Sequence, residues 1–418
     1  MDHIYRKRDT NWRISILILL FIFSPVLSTQ PDAHPGALYV VPIVLLVFIT
    51  SLEGSLIRPK IVNVYAILLF IFAIFSTILS DKGSLESGLF KYLVFILLFI
   101  SISSYVMPPK QLRFSFVAYL YLSVALSVLI ILSYIFGYPH IVESSGYQGR
   151  YSIGITGLFK NPNYLTSFYN VAFFVVTYII ATVELNIRKK IVLYIFLALF
   201  IISSFFSGTR AALVVEILIL ASIPLLYAKA HRLYKLIPIA IIISIPVVYY
   251  WSTLMDLYEL FLGVRDLTGD SGREEAWSYA IKFIKESPIL GCGHKSWESI
   301  SMGTSYLEYL HNIFLELILD QGIIGLLLVV GIVSTGYKKT KKSDRAFLVL
   351  LFFVTAFPLL FQNGLYEVNF WRFVVINRIM MNISISYEGG IKAFMRSTYG
   401  LEHNDKVVAK SPKIINAY

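Results

Sequence analysis

Apolar runs such as "IVNVYAILLFIFAIFSTIL" (61–79) recur from one end of this 418-residue chain to the other. About twenty such residues cross the hydrocarbon core of a bilayer as a helix. In lipid every backbone N–H and C=O must be satisfied within the protein, which leaves helices or closed barrels. The runs are continuous and rich in Leu, Ile and Phe, without the alternation of a barrel strand, so they predict helices. Composition agrees: 57% of residues are hydrophobic and 15% charged, against about a quarter charged in soluble domains. The expected fold class is all-α, a polytopic membrane helix bundle with a partly helical long loop on its outer side.

Spans are placed at 14–28, 37–52, 61–79, 88–106, 112–136, 163–183, 190–206, 211–228, 234–254, 313–336, 346–361 and 371–387, about twelve transmembrane helices. The first contains Pro25 and the last carries Arg372 and Arg378. The basic "YRKR" precedes "ISILILLFIF" without an A-x-A-like cleavage site, which reads as a signal anchor that stays in place. With the N-terminus inside, 24 of the 36 Lys and Arg fall in inside segments with 8 of the 25 Asp and Glu. Outside segments hold 9 basic and 14 acidic residues. Every inside connection is basic, as at Arg188, Lys189 and Lys190. The positive-inside rule thus places both termini in the cytoplasm and accounts for the net charge of +11 without nucleic acid as a partner. The chain reads as a single integral membrane domain, 1–418, with a cytoplasmic tail at 388–418 and membrane lipids as its surroundings. The single cysteine, Cys292, excludes an intrachain disulfide framework and a Cys-based zinc site.

Two outside segments are long: 137–162 and 255–312. Long connections carry function or disorder. In the second, "SGREEAWSYAIKFIKESPILGCG" has a Ser/Gly entry, acids in the first turn, and Ala276, Trp277, Ala280, Ile281 and Ile284 at helical spacing. Pro288 and Gly291 stop the pattern. The result is a helix with one apolar stripe, suited to lying on the membrane or capping the bundle.

Charged residues at the outer boundary are the candidates for chemistry. Arg210, in "SFFSGTRAALVVE", sits at a junction between two spans with almost no loop. It reads either as a snorkelling side chain or, with the small residues before it, as a phosphate ligand. Arg273 opens the outside helix and is either a helix-surface arginine or a second such ligand. Arg265 and Arg150 are outside arginines of lower rank. His311 stands at the mouth of the tenth span, with Asn312, Glu316 and Asp320 following at i, i+4, i+8 on one helix face. Acids inside a membrane helix are costly and functional by default; interhelical hydrogen bonding is their structural alternative. Gly322 and Gly325 permit a bend or a close approach. "GLFKNPNYLTSFYN" brings Lys160, Asn161 and Asn163 around Pro162, a turn and helix start that could also bind sugar hydroxyls. "QNGLYEVNFWR" (362–372) is polar and aromatic, suited to sugar or to the membrane interface.

The chain shows no Walker loop, no paired outside carboxylates for a metal-bound nucleotide sugar, and no His/Cys metal spacing. A reaction on the outer side would need a donor that carries its own activation. A lipid-linked diphosphate meets that need, with arginines holding the leaving phosphates and a histidine deprotonating an acceptor hydroxyl.

The ordered set "SGTRAAL", "SGREEAWSYAIKFIKESPILGCG" and "HNIFLELILDQGIIGL" resembles the bacterial O-antigen ligase and polymerase family. "GLFKNPNYL" is similar to that family as well. The motifs occupy about residues 155–330. The resemblance implies a bundle of about twelve helices with a periplasmic loop over the active site, in the bacterial inner membrane. It implies Arg210 and Arg273 as diphosphate ligands, His311 as the catalytic residue, no metal or other cofactor, and inversion at the anomeric carbon. The implied donor is an undecaprenyl-diphosphate-linked oligo- or polysaccharide. The acceptor is either lipid A core, for a ligase, or a second lipid-linked glycan, for a polymerase; the His-to-Gly spacing from His311 to Gly322 favours the ligase. Asn312, Arg265, Arg150, Lys160 and Asn163 are further substrate-binding candidates. A flippase for the same lipid-linked sugars is the rival from another class. Transporters keep charged residues near the midplane, whereas these arginines and the histidine gather at the outer face. Glu216, Glu316 and Asp320 are the residues that favour the flippase.

Overall fold

The computed structural model describes residues 12–23, 36–52, 60–84, 88–104, 109–136, 162–207, 210–227, 273–302, 304, 310–361 and 368–399. Among them the chain is all-helical, with no strand. The helices are α1 (Trp12–Phe23), α2 (Gly36–Leu52), α3 (Ile61–Leu79), α4 (Gly88–Ser104), α5 (Pro109–Ile135), α6 (Pro162–Thr182), α7 (Ile187–Phe206) and α8 (Arg210–Tyr227). After the second long segment come α9 (Arg273–Glu286), α10 (Ser296–Ser301), α11 (Ile313–Ser334), α12 (Arg345–Ala356), α13 (Val368–Ser386) and α14 (Gly390–Tyr399). Five helical stretches among the described residues are long and apolar enough to cross a membrane: Ile61–Leu79, Lys110–Leu132, Ile187–Phe206, Ile313–Lys339 and Lys342–Leu360. Shorter apolar helices lie beside them. This is the multi-pass helical membrane protein expected from the apolar runs. The expected span 234–254, the basic start and most of 137–162 lie outside the described residues.

Buried hydroxyls are accommodated by the helices that carry them. Thr77 donates to the carbonyl of Ala73 at 2.6 Å, Ser123 to Tyr119 at 2.8 Å, Thr177 to Phe173 at 2.8 Å and Thr355 to Leu351 at 2.7 Å. Each such bond removes an orphan donor from an apolar interior. The main core runs through α1 to α8 and α11 to α14. At its centre Trp371 is fully buried, with Phe370 edge-on at 5.4 Å and Tyr92, Phe95 and Phe99 within 6.5 Å. The two arginines of α13 are also placed. Arg372 is buried, its guanidinium 3.9 Å above the centre of the Phe168 ring. Arg378 donates to the carbonyl of Thr335 at 2.7 Å, beyond the end of α11.

α3 and α11 pack along each other. At one end lie Lys60, which donates to the carbonyl of Ser103 at 2.7 Å, and Arg378 on Thr335. Burial and the Arg378 charge push the Lys60 amine down to about 8. At the other end Ser76, Thr77 and Ser80 meet residues 290–294. The cytoplasmic tail expected from 388 is in part an ordered element: Ile391, Phe394 and Met395 of α14 are buried against the bundle. Asp344 accepts from the Ser384 hydroxyl at 2.7 Å and from the Ile391 amide at 3.0 Å, fixing that helix in place.

Candidate functional site

A second, smaller core lies at the Ser80 end of α3. It is built from Ala276 and Ala280 of α9, Cys292, Trp297 and Ile300 around α10, and Leu310 and Leu319 beside and within α11. The helical spacing of Ala276, Trp277, Ala280 and Ile284 thus packs against another helix of the same chain. Ile281 falls off that stripe and is 41% exposed.

The partner is only the first part of α11. Gly322 has φ 58° and ψ −162°, and the helix breaks there. The break leaves backbone groups without intrahelical partners, and residues 287–296 supply them. The amide of Cys292 donates to the carbonyl of Leu319 at 2.7 Å, and that of Gly293 to Asp320 at 2.9 Å. Beyond the break, the amide of Ile323 donates to the carbonyl of Pro288 at 2.9 Å. The approach is backbone on backbone. A Cβ at Gly322 would stand 2.2 Å from the carbonyl oxygen of Ile289, and one at Gly291 would stand 2.5 Å from Asp320 backbone atoms. Both positions also have positive φ, so glycine serves twice.

Asp320 completes the junction. It is fully buried. Its carboxylate accepts from the amide of Lys295 at 2.9 Å, the amide of Ser296 at 3.2 Å and the Ser296 hydroxyl at 2.7 Å. Helix α3 closes the other side: the Ser76 hydroxyl lies 2.7 Å from the Leu290 carbonyl and 2.9 Å from that of Asp320. The Ser80 hydroxyl donates to the Cys292 carbonyl, and Thr77 accepts from the His294 amide at 2.8 Å. His294 is buried, its ring parallel to Tyr92 at 6.3 Å. Burial, then the Lys295 charge, pushes its imidazole down to about 3, so it is neutral. Burial and the Asp320 charge push the Cys292 thiol up to about 11, which makes it a poor nucleophile.

His311 stands at the opposite end of this half-helix. Its φ is 53°, a left-handed conformation uncommon for a residue other than glycine. Asn312 is the N-cap of α11, its side-chain oxygen accepting from the Leu315 amide at 3.0 Å. His311 is therefore presented on a turn just before a helix start, half-exposed. That turn is tied to α9: the Trp277 indole N–H donates to the carbonyl of Leu310 at 2.8 Å. Trp277 lies one turn beyond Arg273, the first residue of α9 and half-exposed. α9 thus runs alongside residues 313–321, with Arg273 at the His311 end and Pro288 at the break.

Arg210 is the first residue of α8, which packs on α6 and on the 3-10 turn Phe357–Phe361; α11 borders the same turn. Further along α8, Glu216 is buried and accepts from the Ser204 hydroxyl of α7 at 2.6 Å. Asn163 lies in the first turn of α6. Arg150, Arg265 and Lys160 lie outside the described residues. Sequence reading did not single out His294, Ser296, Ser76, Thr77 or Ser80. The hydroxyl-rich end of α3 and the Gly-Cys-Gly of residues 291–293 were the available signals, and nothing in linear order links them.

Fold and site define a multi-pass helical membrane protein whose small helical module grips a broken helix at one face of the bundle. The family model described as O-antigen ligase matches residues 194–330, from within α7 to within α11, and so covers this module. The chain is also 28% identical over 91 residues to the exopolysaccharide production protein ExoQ of Rhizobium meliloti (strain 1021). That match covers 18% of this chain and spans 21% of the other protein's length. Over those residues the chain is thus similar to O-antigen ligases and to an exopolysaccharide production protein.

Proposed function

We propose that the protein is a membrane glycosyltransferase that moves a glycan from undecaprenyl diphosphate to an acceptor sugar hydroxyl at the periplasmic face of the bacterial inner membrane. The observation that carries this reading is the Trp277–Leu310 bond, which joins the helix headed by Arg273 to the turn that presents His311. His311 takes the proton of the acceptor hydroxyl. The hydroxyl oxygen attacks the anomeric carbon, the bond to the diphosphate breaks with inversion, and the carrier diphosphate leaves. Arg273 and Arg210 hold the diphosphate oxygens as negative charge builds on them, a task for which a planar fork of donors is suited. The family match favours a ligase with lipid A core as acceptor. The likeness to an exopolysaccharide production protein favours a second reading, a polymerase whose acceptor is another lipid-linked glycan. Against the flippase reading stands the use of Asp320, whose carboxylate is engaged by loop donors.

His311→Asn tests the assignment without disturbing the turn, because asparagine tolerates positive φ. Transfer in reconstituted vesicles should fall at least about a hundredfold, the lower range for losing a general base, while the protein inserts normally. Transfer at the wild-type rate would remove His311 from the chemistry.

A further inference from the structure

We infer that Asp320 is a positioning residue: its carboxylate locks residues 287–296 into the break of α11 and so fixes the helix carrying Arg273 against the turn carrying His311. This rests on the roles proposed above for Arg273 and His311.

α9 is held at two places. Near its start, Trp277 bonds the carbonyl of Leu310, the residue before His311. Just past its end, Pro288 accepts from Ile323, beyond the break. The turn between α9 and the break is itself closed: the Ser287 hydroxyl donates to the Gly291 carbonyl at 2.8 Å, and the Gly291 amide to the Ser287 carbonyl at 3.0 Å. A shift of residues 287–296 is therefore transmitted to α9 and to Arg273. What keeps those residues seated is the exchange with α11, to which Asp320 contributes a carboxylate. A hydrogen bond to an ionised group is roughly twice as strong as a neutral one. Burying a carboxylate is costly unless such donors meet it. Here such donors come from Lys295 and Ser296, 25 and 24 residues earlier in the chain. The acid that read either as functional or as a structural hydrogen-bonding group is thus a tether between the loop and the broken helix.

The test uses the full chain in nanodiscs, with Asp320→Ala, Asp320→Asn and Ser296→Ala. Amide hydrogen exchange of residues 292–296 reads the seating of the loop. Transfer from a synthetic polyprenyl-diphosphate-linked oligosaccharide reads kcat and KM. Asp320→Ala should lose protection at 292–296 and drop kcat by roughly a hundredfold, the scale of a misplacement of about 1 Å, with KM moving far less. Asp320→Asn keeps one acceptor oxygen and should recover part of both; Ser296→Ala should give a smaller parallel loss. If Asp320→Ala does not fold, the other two variants carry the same comparison. Lost protection with wild-type kcat overturns the positioning role and leaves the proposed function standing. Unchanged protection in all three variants overturns the tether. Protein that shows the protection pattern but no transfer in the wild type overturns the proposed function, and the role of Asp320 in it.

Discussion

His294 shows how far one side chain can depart from its ordinary chemistry when a loop is buried. Its imidazole is neutral in the fold, with a value near 3, whereas in an opened chain it titrates near 6.5. The folded value is depressed, so the opened state takes up the proton first. The seated loop is fully favoured above about 6.5 and loses up to about 1.4 kcal/mol per pH unit as pH falls toward 3. At pH 5 the protection of amides 293–296, corrected for intrinsic exchange, should be roughly thirtyfold below that at pH 7. His294→Gln should remove most of that dependence; an unchanged slope would show that another group sets it. His311 and Arg273 were legible in sequence as candidates, because a histidine at a span mouth and an arginine at a helix start stand out against apolar neighbours. Asn312 was legible as polar, but its use as an N-cap depends on the backbone turn at His311.

At the scale of elements, α11 is the informative case. Its hydropathy is continuous, and Ile313–Lys339 reads as one long crossing. The backbone is not continuous, and the two parts have different partners. Residues 313–321 are held by α9, α10 and the loop between them, while residues beyond the break pack along α3. Gly331, for example, lies against the Tyr65 ring, where a Cβ would come within 3.0 Å. Gly322→Ala should be far more damaging than Gly331→Ala. At Gly322 the backbone conformation alone costs about 1–3 kcal/mol for alanine, and the new Cβ meets a rigid carbonyl. At Gly331 it meets a side-chain ring, which can shift. Thermal unfolding in detergent, together with labelling of the buried Cys292 thiol, should separate the two variants. Equal stability of both would mean that the break at Gly322 is not needed.

At the scale of the whole molecule, the candidate site and the buried Lys60 and Arg378 fall at opposite ends of the α3–α11 pair. The polar module sits at the Ser80 end of α3, and the Lys60 end carries the basic side of the bundle. That polarity suits a donor carried by lipid and delivered to one face only. The acceptor follows from what a cell lacking the protein accumulates. Loss of a ligase should leave lipid A core bare and lipid-linked polymer in excess, whereas loss of a polymerase should leave core capped by single repeat units. One gel of extracted glycolipids distinguishes them, and an unchanged pattern would argue against both. By itself the sequence determined that the chain is a helix bundle in a membrane, and its charge distribution predicted how that bundle is oriented. Those properties follow from local composition: apolar length forces helices, and basic loops stay inside. Only the tertiary structure decided that α11 is broken, that residues 287–296 fill the break and that Asp320 holds them. Those contacts join residues up to 244 positions apart, Ser76 to Asp320, and most of them use a backbone group on at least one side, which no side-chain pattern reveals.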